Sequence, residues 1–169
     1  WRWRAEPGRP GAGRVAVNAL EQFGGLAYTL PVIWALLIGT AVALYIVLDG
    51  FDLGIGVLFP FYSTESQRDQ MMNSVAPFWD GNETWLVLGG GGLWVAFPIA
   101  YAIIMPAMYL PVIVLLLALV FRGVAFEFRW RAAEERQWLW DWSFAGGSTV
   151  ATFAQGVALG ALVQGIEVS

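Results

Sequence analysis

Two pairs of acidic residues beside long apolar runs are the first candidates for chemistry. Asp49 and Asp52 are spaced i, i+3, so on a helix they share one face with Tyr45. Asp80 and Glu83 repeat this spacing at the start of the next apolar run. A carboxylate inside a membrane is unfavourable by several kcal/mol unless it is paired or reached by water. These pairs therefore indicate either a proton path or an ion-pair cluster.

Arg122, near the end of a later apolar run, is the one well-placed cation for these four acids. Because one guanidinium cannot neutralise four carboxylates, some of them must be protonated, hydrated or paired with a basic group on another chain. The functional interpretation is a proton path or a cluster with Arg122. The alternative is that all four acids lie near helix ends and touch water.

Composition indicates a membrane protein. The 169 residues are 58% hydrophobic and only 13% charged, and the aromatic residues include ten Trp, which suit membrane–water boundaries. The absence of His and Cys removes the usual ligands of haem and zinc, so we expect no metal or haem on this chain. Cysteine and Ser–His nucleophiles are excluded, and no catalytic residue is predicted. Residues 1–14 carry a net charge of +3 and the remainder −7, which gives nucleic-acid binding no support.

The apolar runs predict an all-α, polytopic membrane protein folded as a four-transmembrane-helix bundle over residues 26–169. Residues 1–25 are rich in Gly, Pro and Arg and are predicted to be a disordered or non-native tail. Because the uncharged run 84–121 is too long for one crossing, a turn is expected near Ala100–Pro106. The predicted spans lie near residues 28–60, 75–101, 104–126 and 142–166.

Several glycines are spaced for close helix packing. Those predicted to pack are Gly50, Gly54 and Gly56 in the first span and Gly156 and Gly160 in the fourth. The run at 89–92 lacks the Lys and Ser/Thr of a phosphate-binding loop, so packing or a kink is the preferred interpretation.

Arginine placement predicts the orientation of the chain. The polar connections are 62–72 and 127–141, and the second of them carries Arg129, Arg131 and Arg136. Because Lys and Arg are enriched in cytoplasmic loops, we expect both connections to be cytoplasmic and the N-terminus to lie outside.

Three motifs, in this order, carry a family resemblance. DGFDLGIG begins at Asp49, WDGNETW at Trp79 and FRGVAFE at Phe121. Together they resemble subunit II of cytochrome bd-type quinol oxidases, including the cyanide-insensitive branch. The resemblance runs from about Leu30 to the end of the chain. Family chains have about eight spans, so this sequence resembles an N-terminal half.

The resemblance implies a haem-free subunit of a terminal oxidase that oxidises quinol and reduces dioxygen to water. It implies a partner, subunit I, that holds two b-type haems and one haem d, with membrane lipids and the quinone pool as further partners. The expected location is the bacterial inner membrane, and this chain alone is not expected to be catalytic. The alternatives are a small proton or ion channel or half of a transporter, and a structural membrane scaffold.

The resemblance also assigns roles to the acidic pairs. Asp80 becomes the best candidate for a proton path, with Trp79 and Glu83 beside it. The second set, Asp49, Asp52 and Arg122, matches the polar cluster of the family. A channel should conduct alone, whereas an oxidase subunit should do nothing without its haem-bearing partner.

Overall fold

The computed structural model describes residues 12–165, which are almost entirely helical and contain no strand. The helices are α1 (Ala12–Leu58), α2 (Glu65–Val75), α3 (Trp79–Ala96), α4 (Pro98–Ala107), α5 (Tyr109–Phe128) and α6 (Gln137–Gln164). Single 3₁₀ turns are formed by Phe59–Phe61, Arg129–Arg131 and Glu134–Arg136. The all-α prediction is confirmed for this part of the chain.

Three helical stretches are long and apolar enough to cross a membrane. They are Gly24–Phe61, Tyr109–Arg131 and Glu134–Gln164. Helix α3 is not among them, because polar side chains occupy its first two turns and Pro98 separates it from the short apolar helix α4. The structure therefore supports the first, third and fourth of the four predicted spans. The second crossing, predicted near residues 75–101, and the boundaries of all four spans stay predictions.

Helix α1 begins at Ala12, inside the segment 1–25 that the sequence predicts to be a tail. Of that segment, residues 1–11 lie outside the described residues. Residues 15–23 contain no Gly or Pro and are rich in helix-favouring Ala, Leu, Glu and Gln, which accounts for the earlier start. The described residues form two units, 12–37 and 38–165, and all contacts discussed below lie in the second.

The turn expected near Ala100–Pro106 is wrong. Those residues form most of α4, and the helical path breaks instead at Phe97 and Met108. Phe97 precedes Pro98, and a residue before proline is disfavoured in the α conformation, so α3 ends there. Proline is tolerated in a first helical turn because its missing N–H would have no intrahelical partner, and Pro98 occupies such a position in α4.

The polar connections are more ordered than the sequence indicates. Within 62–72 the chain enters α2, whose Met72 and Val75 are buried, so this helix packs its apolar residues onto the other helices. The connection 127–141 consists of the end of α5, two 3₁₀ turns and the start of α6. Buried apolar side chains, not helix-forming tendency alone, account for α2.

Close contacts at glycine set how the helices pack. A Cβ on Gly89 or Gly92 of α3 would lie 3.0 Å from Val42 and 3.1 Å from Ile38 of α1, respectively. Gly92 follows Gly89 on α3, but the residue that Gly92 contacts, Ile38, precedes Val42 on α1. The two helices are therefore antiparallel. The interpretation of the 89–92 run as a packing surface therefore holds for two of its four glycines.

Among the other glycines, Gly56 packs as predicted, because a Cβ there would overlap the side chain of Ser148 on α6. At Gly50, Gly54, Gly156 and Gly160 a Cβ would meet nothing of the described residues within 4 Å, so packing at these four positions stays a prediction. These four lie off the helix faces that carry the buried residues. Gly147, which the sequence analysis missed, brings α6 against α5: a Cβ would lie 2.8 Å from the carbonyl oxygen of Ala118.

Candidate functional site

Arg122 lies at the centre of a buried charge cluster. Its side chain is fully buried, and its Nη1 donates to Asp49 Oδ1 at 2.8 Å and to Glu83 Oε1 at 2.9 Å. Its Nη2 lies 3.8 Å from Asp52 Oδ2, close enough for an ion pair but too far for a hydrogen bond. The cluster therefore joins α1, α3 and α5 through one guanidinium.

An amide completes the acidic side of the cluster. Asn82 Nδ2 donates to Asp52 Oδ2 at 2.7 Å and so ties the start of α3 to α1. With every group ionised, three carboxylates face one guanidinium, which leaves a net charge of −2 in a buried site. A proton on one of the carboxyl groups reduces this imbalance, so the geometry is suited to holding and exchanging protons.

Several buried polar atoms in and around the cluster have no hydrogen-bond partner within the described residues. They are Tyr45 OH, Asp49 Oδ2, Arg122 Nε and Nη2, and Ser148 Oγ; Gln155 Nε2 on α6 is a further buried atom without a partner there. Leaving a buried donor or acceptor unsatisfied is unfavourable by roughly 1–3 kcal/mol. Buried groups of this kind can form hydrogen bonds with water inside the protein.

The spacing of residues on α1 builds one wall of the site. Tyr45, Asp49, Asp52 and Gly56 recur at intervals of three and four, and all four are buried on the same helix face. Gly56 then admits Ser148 of α6 at close range. The i, i+3 and i, i+4 spacing of the sequence predicts this face.

The second acidic pair is divided between two environments. Glu83 joins Arg122, and its side chain is 21% exposed. Asp80 is exposed and is not part of the cluster. Trp79, predicted beside the proton path, lies among apolar side chains and stacks on Phe126 with ring centroids 5.1 Å apart.

A second charged network, which the sequence analysis missed, surrounds Arg129. The Arg129 side chain is only 2% exposed; it donates to Asp141 at 2.6 Å and to Asp69 at 2.5 Å. Arg68 donates to the other oxygen of Asp141 at 3.0 Å and to the backbone oxygen of Tyr62. This network, here called the outer network, joins α2, α6 and the turn after α5.

Sequence reasoning treated Arg129 only as a loop charge. The signal for its burial was its position, seven residues after Arg122, because two helical turns return a side chain to nearly the same face. The sequence offers no corresponding signal for Asp69 and Asp141, since their contact requires the fold. Within the described residues, no group of three or more His, Cys, Asp or Glu is arranged to hold a metal ion.

These features define the class of protein: an all-helical membrane protein with a buried carboxylate–guanidinium cluster between its helices. The family of cytochrome bd terminal oxidase subunit II matches residues 30–169. The chain belongs to this family.

Individual relatives agree with the family assignment. The chain is 42% identical over 140 residues to cytochrome bd-I ubiquinol oxidase subunit 2 of Escherichia coli K12, covering 81% of this chain and 37% of that protein. It is 37% identical over 139 residues to cytochrome bd ubiquinol oxidase subunit 2 of Bacillus subtilis, covering 80% and 41%. The chain therefore spans less than half the length of these relatives.

Proposed function

We propose that this chain is a haem-free part of a quinol-oxidising terminal oxidase, in which it supports a haem-bearing partner and contributes to proton supply. The observation that carries the proposal is the family match over residues 30–169, which includes every residue of the Arg122 cluster. The similar proteins of E. coli and B. subtilis are named as subunits of ubiquinol oxidases. By extension, quinol is the proposed substrate of the complex and dioxygen its electron acceptor.

The residues of this chain do not fit a haem. His and Cys are absent from the sequence, and the remaining candidate ligands are four Met and five Tyr. Met72 is fully buried in an apolar cluster and Met108 is also buried. Two b-type haems and one haem d are therefore proposed for the partner, subunit I, and no electron-transfer step is assigned to this chain.

Proton supply is the proposed chemical contribution. Asp80 is exposed and lies one turn before Glu83, whose carboxylate accepts from Arg122. A proton taken up at Asp80 can pass along α3 to Glu83 and so to the buried carboxyls of α1. Trp79 is proposed to position the start of α3 by stacking on Phe126.

We further propose four crossings of a bacterial inner membrane, the second of them formed by α3 and α4 together. The hydrogen bond between Arg129 and Asp69 of the outer network holds the connections 62–72 and 127–141 together beside the end of α5. Both connections carry arginines, so this end is proposed to be cytoplasmic and the N-terminus to lie outside. Trp130, Trp138 and Trp142 are exposed near this end, as expected of residues at a membrane boundary.

The orientation can be tested with introduced thiols, because the chain contains no Cys. Ser66→Cys and Ala133→Cys are placed in the two connections, and both positions are exposed. We expect both thiols to resist a membrane-impermeant reagent in whole cells and to react after the cells are permeabilised. Labelling at either position in intact cells would refute the proposed orientation.

A second expectation concerns haem. Mixed with haemin in detergent, the isolated chain should give no stoichiometric low-spin haem spectrum, because it lacks His and Cys ligands. The matched measurement is the same titration of the complete complex stripped of haem. A stoichiometric low-spin spectrum from the isolated chain would contradict assignment of the haems to the partner.

The proposed function is tested by deleting the gene that encodes this chain. Membranes from the deletion strain should lose the share of quinol-dependent oxygen uptake that this oxidase supplies, and the intact gene should restore it. A small channel or a scaffold would leave uptake unchanged when its gene is deleted. Conduction of protons by the isolated chain in liposomes would favour the channel instead.

A further inference from the structure

Two buried arginines, Arg122 on α5 and Arg129 in the turn directly after it, belong to separate charged networks. Arg122 holds the inner carboxylates of α1 and α3, and Arg129 holds Asp69 and Asp141 of the outer network. They are seven residues apart, so along an ideal helix their Cα atoms are separated by about 10.5 Å. Within the part of the chain that the structure describes, no hydrogen bond or ion pair connects the two networks.

Three aromatic rings fill this interval. The Phe126 ring lies 5.8 Å from the guanidinium of Arg122. Phe144 of α6 contacts it edge-on with centroids 5.1 Å apart, and Phe59 contacts Phe144 edge-on at the same distance. The guanidinium of Arg129 lies 6.0 Å from the centroid of the Phe59 ring.

The rings are shielded from solvent on the other sides as well. Phe59 and Phe144 are at most 1% exposed, and Phe126 is 6% exposed. Met72 and Val75 of α2, both buried, pack in the same apolar cluster. A layer of this kind offers water no hydrogen-bond partner, and apolar constrictions of channels exclude water and ions for that reason.

We propose that Phe59, Phe144 and Phe126 form an apolar barrier that separates the Arg122 cluster from water at the end of the molecule where the outer network lies. The cluster then reaches the surface of this chain through α3, where the Glu83 side chain is 21% exposed and Asp80 is exposed. The proposed proton route from Asp80 to Glu83 runs along α3 and does not cross these rings. This entry route rests on the proposed role in proton supply, whereas the barrier itself does not.

The barrier is tested by the reactivity of a thiol behind it. Ser148 is fully buried, lies one turn beyond Phe144 on α6 and packs against Gly56. In the complete complex in native membrane vesicles, Ser148→Cys is treated with methanethiosulfonate ethylammonium, and modification is followed by the mass of this chain. We expect the thiol to react more slowly than that of Ala133→Cys by roughly tenfold or more, because only a hydrated thiolate reacts.

Removing a ring should open the barrier. Phe144→Ala and, separately, Phe126→Ala are each combined with Ser148→Cys, and modification should accelerate by roughly tenfold or more. Phe144→Leu preserves apolar volume and should leave the rate near that of Ser148→Cys alone. Phe153→Ala is the matched control, because Phe153 is on the same helix but 74% exposed, and it should have no effect.

Two results would overturn the barrier. One is modification of Ser148→Cys, with all rings present, as fast as that of Ala133→Cys; this comparison needs no ring variant to fold. The other is an unchanged rate in an assembled Phe144→Ala or Phe126→Ala variant. A slow, ring-dependent thiol in a complex without quinol oxidation would instead contradict the proposed function and leave the barrier standing.

Discussion

Replacing Arg122 by leucine should sharply reduce the amount of assembled complex. The substitution leaves Asp49, which is fully buried, without its hydrogen-bonded cation, and it also removes the partner of Glu83. Breaking a buried ion pair by removing one member destabilises a protein by roughly 3–5 kcal/mol, because the other charge is stranded. The measurement is the yield of complex in mild detergent, together with its thermal stability.

The matched control for this substitution is Arg131→Leu. Arg131 also pairs with a carboxylate, Glu127, but both side chains are more than 60% exposed. Exposed pairs contribute about 0–1 kcal/mol, so we expect yield and thermal stability close to those of the parent. Unchanged assembly and stability of Arg122→Leu would show that the buried Arg122 cluster does not hold the helices together.

The second large effect is expected at Asp80. Asp80→Asn keeps the shape and hydrogen-bonding capacity of the side chain but removes its exchangeable proton. Because Asp80 is exposed and lies outside the charge cluster, the change should leave the fold and the haem content of the complex intact. Steady-state quinol oxidation should fall at least tenfold, which corresponds to a barrier increase of about 1.4 kcal/mol.

A matched control uses an exposed carboxylate outside the two acidic pairs. Glu135→Gln changes an exposed acid in the connection 127–141 and should leave turnover near normal. Near-normal turnover of Asp80→Asn between about pH 6 and 8 would exclude Asp80 from the obligatory proton route. Loss of haem together with activity would assign it a structural role instead.

The helical class was predictable because apolar runs have lengths that match a bilayer. The helix breaks were less predictable. Three prolines crowd the middle of the run 84–121, and the sequence alone does not show that Phe97 and Met108, not the residues between them, leave the helical conformation. Helix α2 was missed because its stability comes from burying Met72 and Val75 against other helices.

The parts of the candidate site that lie within a single helix were predictable from the sequence. Asp49 and Asp52 share a face because they are three residues apart, and this holds for any helix. The contact between Arg122 and Glu83 joins two helices, so it depends on how α3 and α5 pack. For the same reason Asp80 and Glu83, a pair in the sequence, occupy different environments in the structure, and Arg129 joins a network whose other members come from α2 and α6.

The most direct test of the oxidase assignment is the visible spectrum of what co-purifies with this chain. The chain is purified from its native membrane through an affinity tag, and the absorption of the eluate is recorded. Since the chain has no His or Cys, the usual axial ligands of haem, we expect haem absorption in the eluate to come from a partner. We predict the absorption of b-type haem and haem d in the eluate; an eluate that contains the chain at full yield without haem would contradict the assignment.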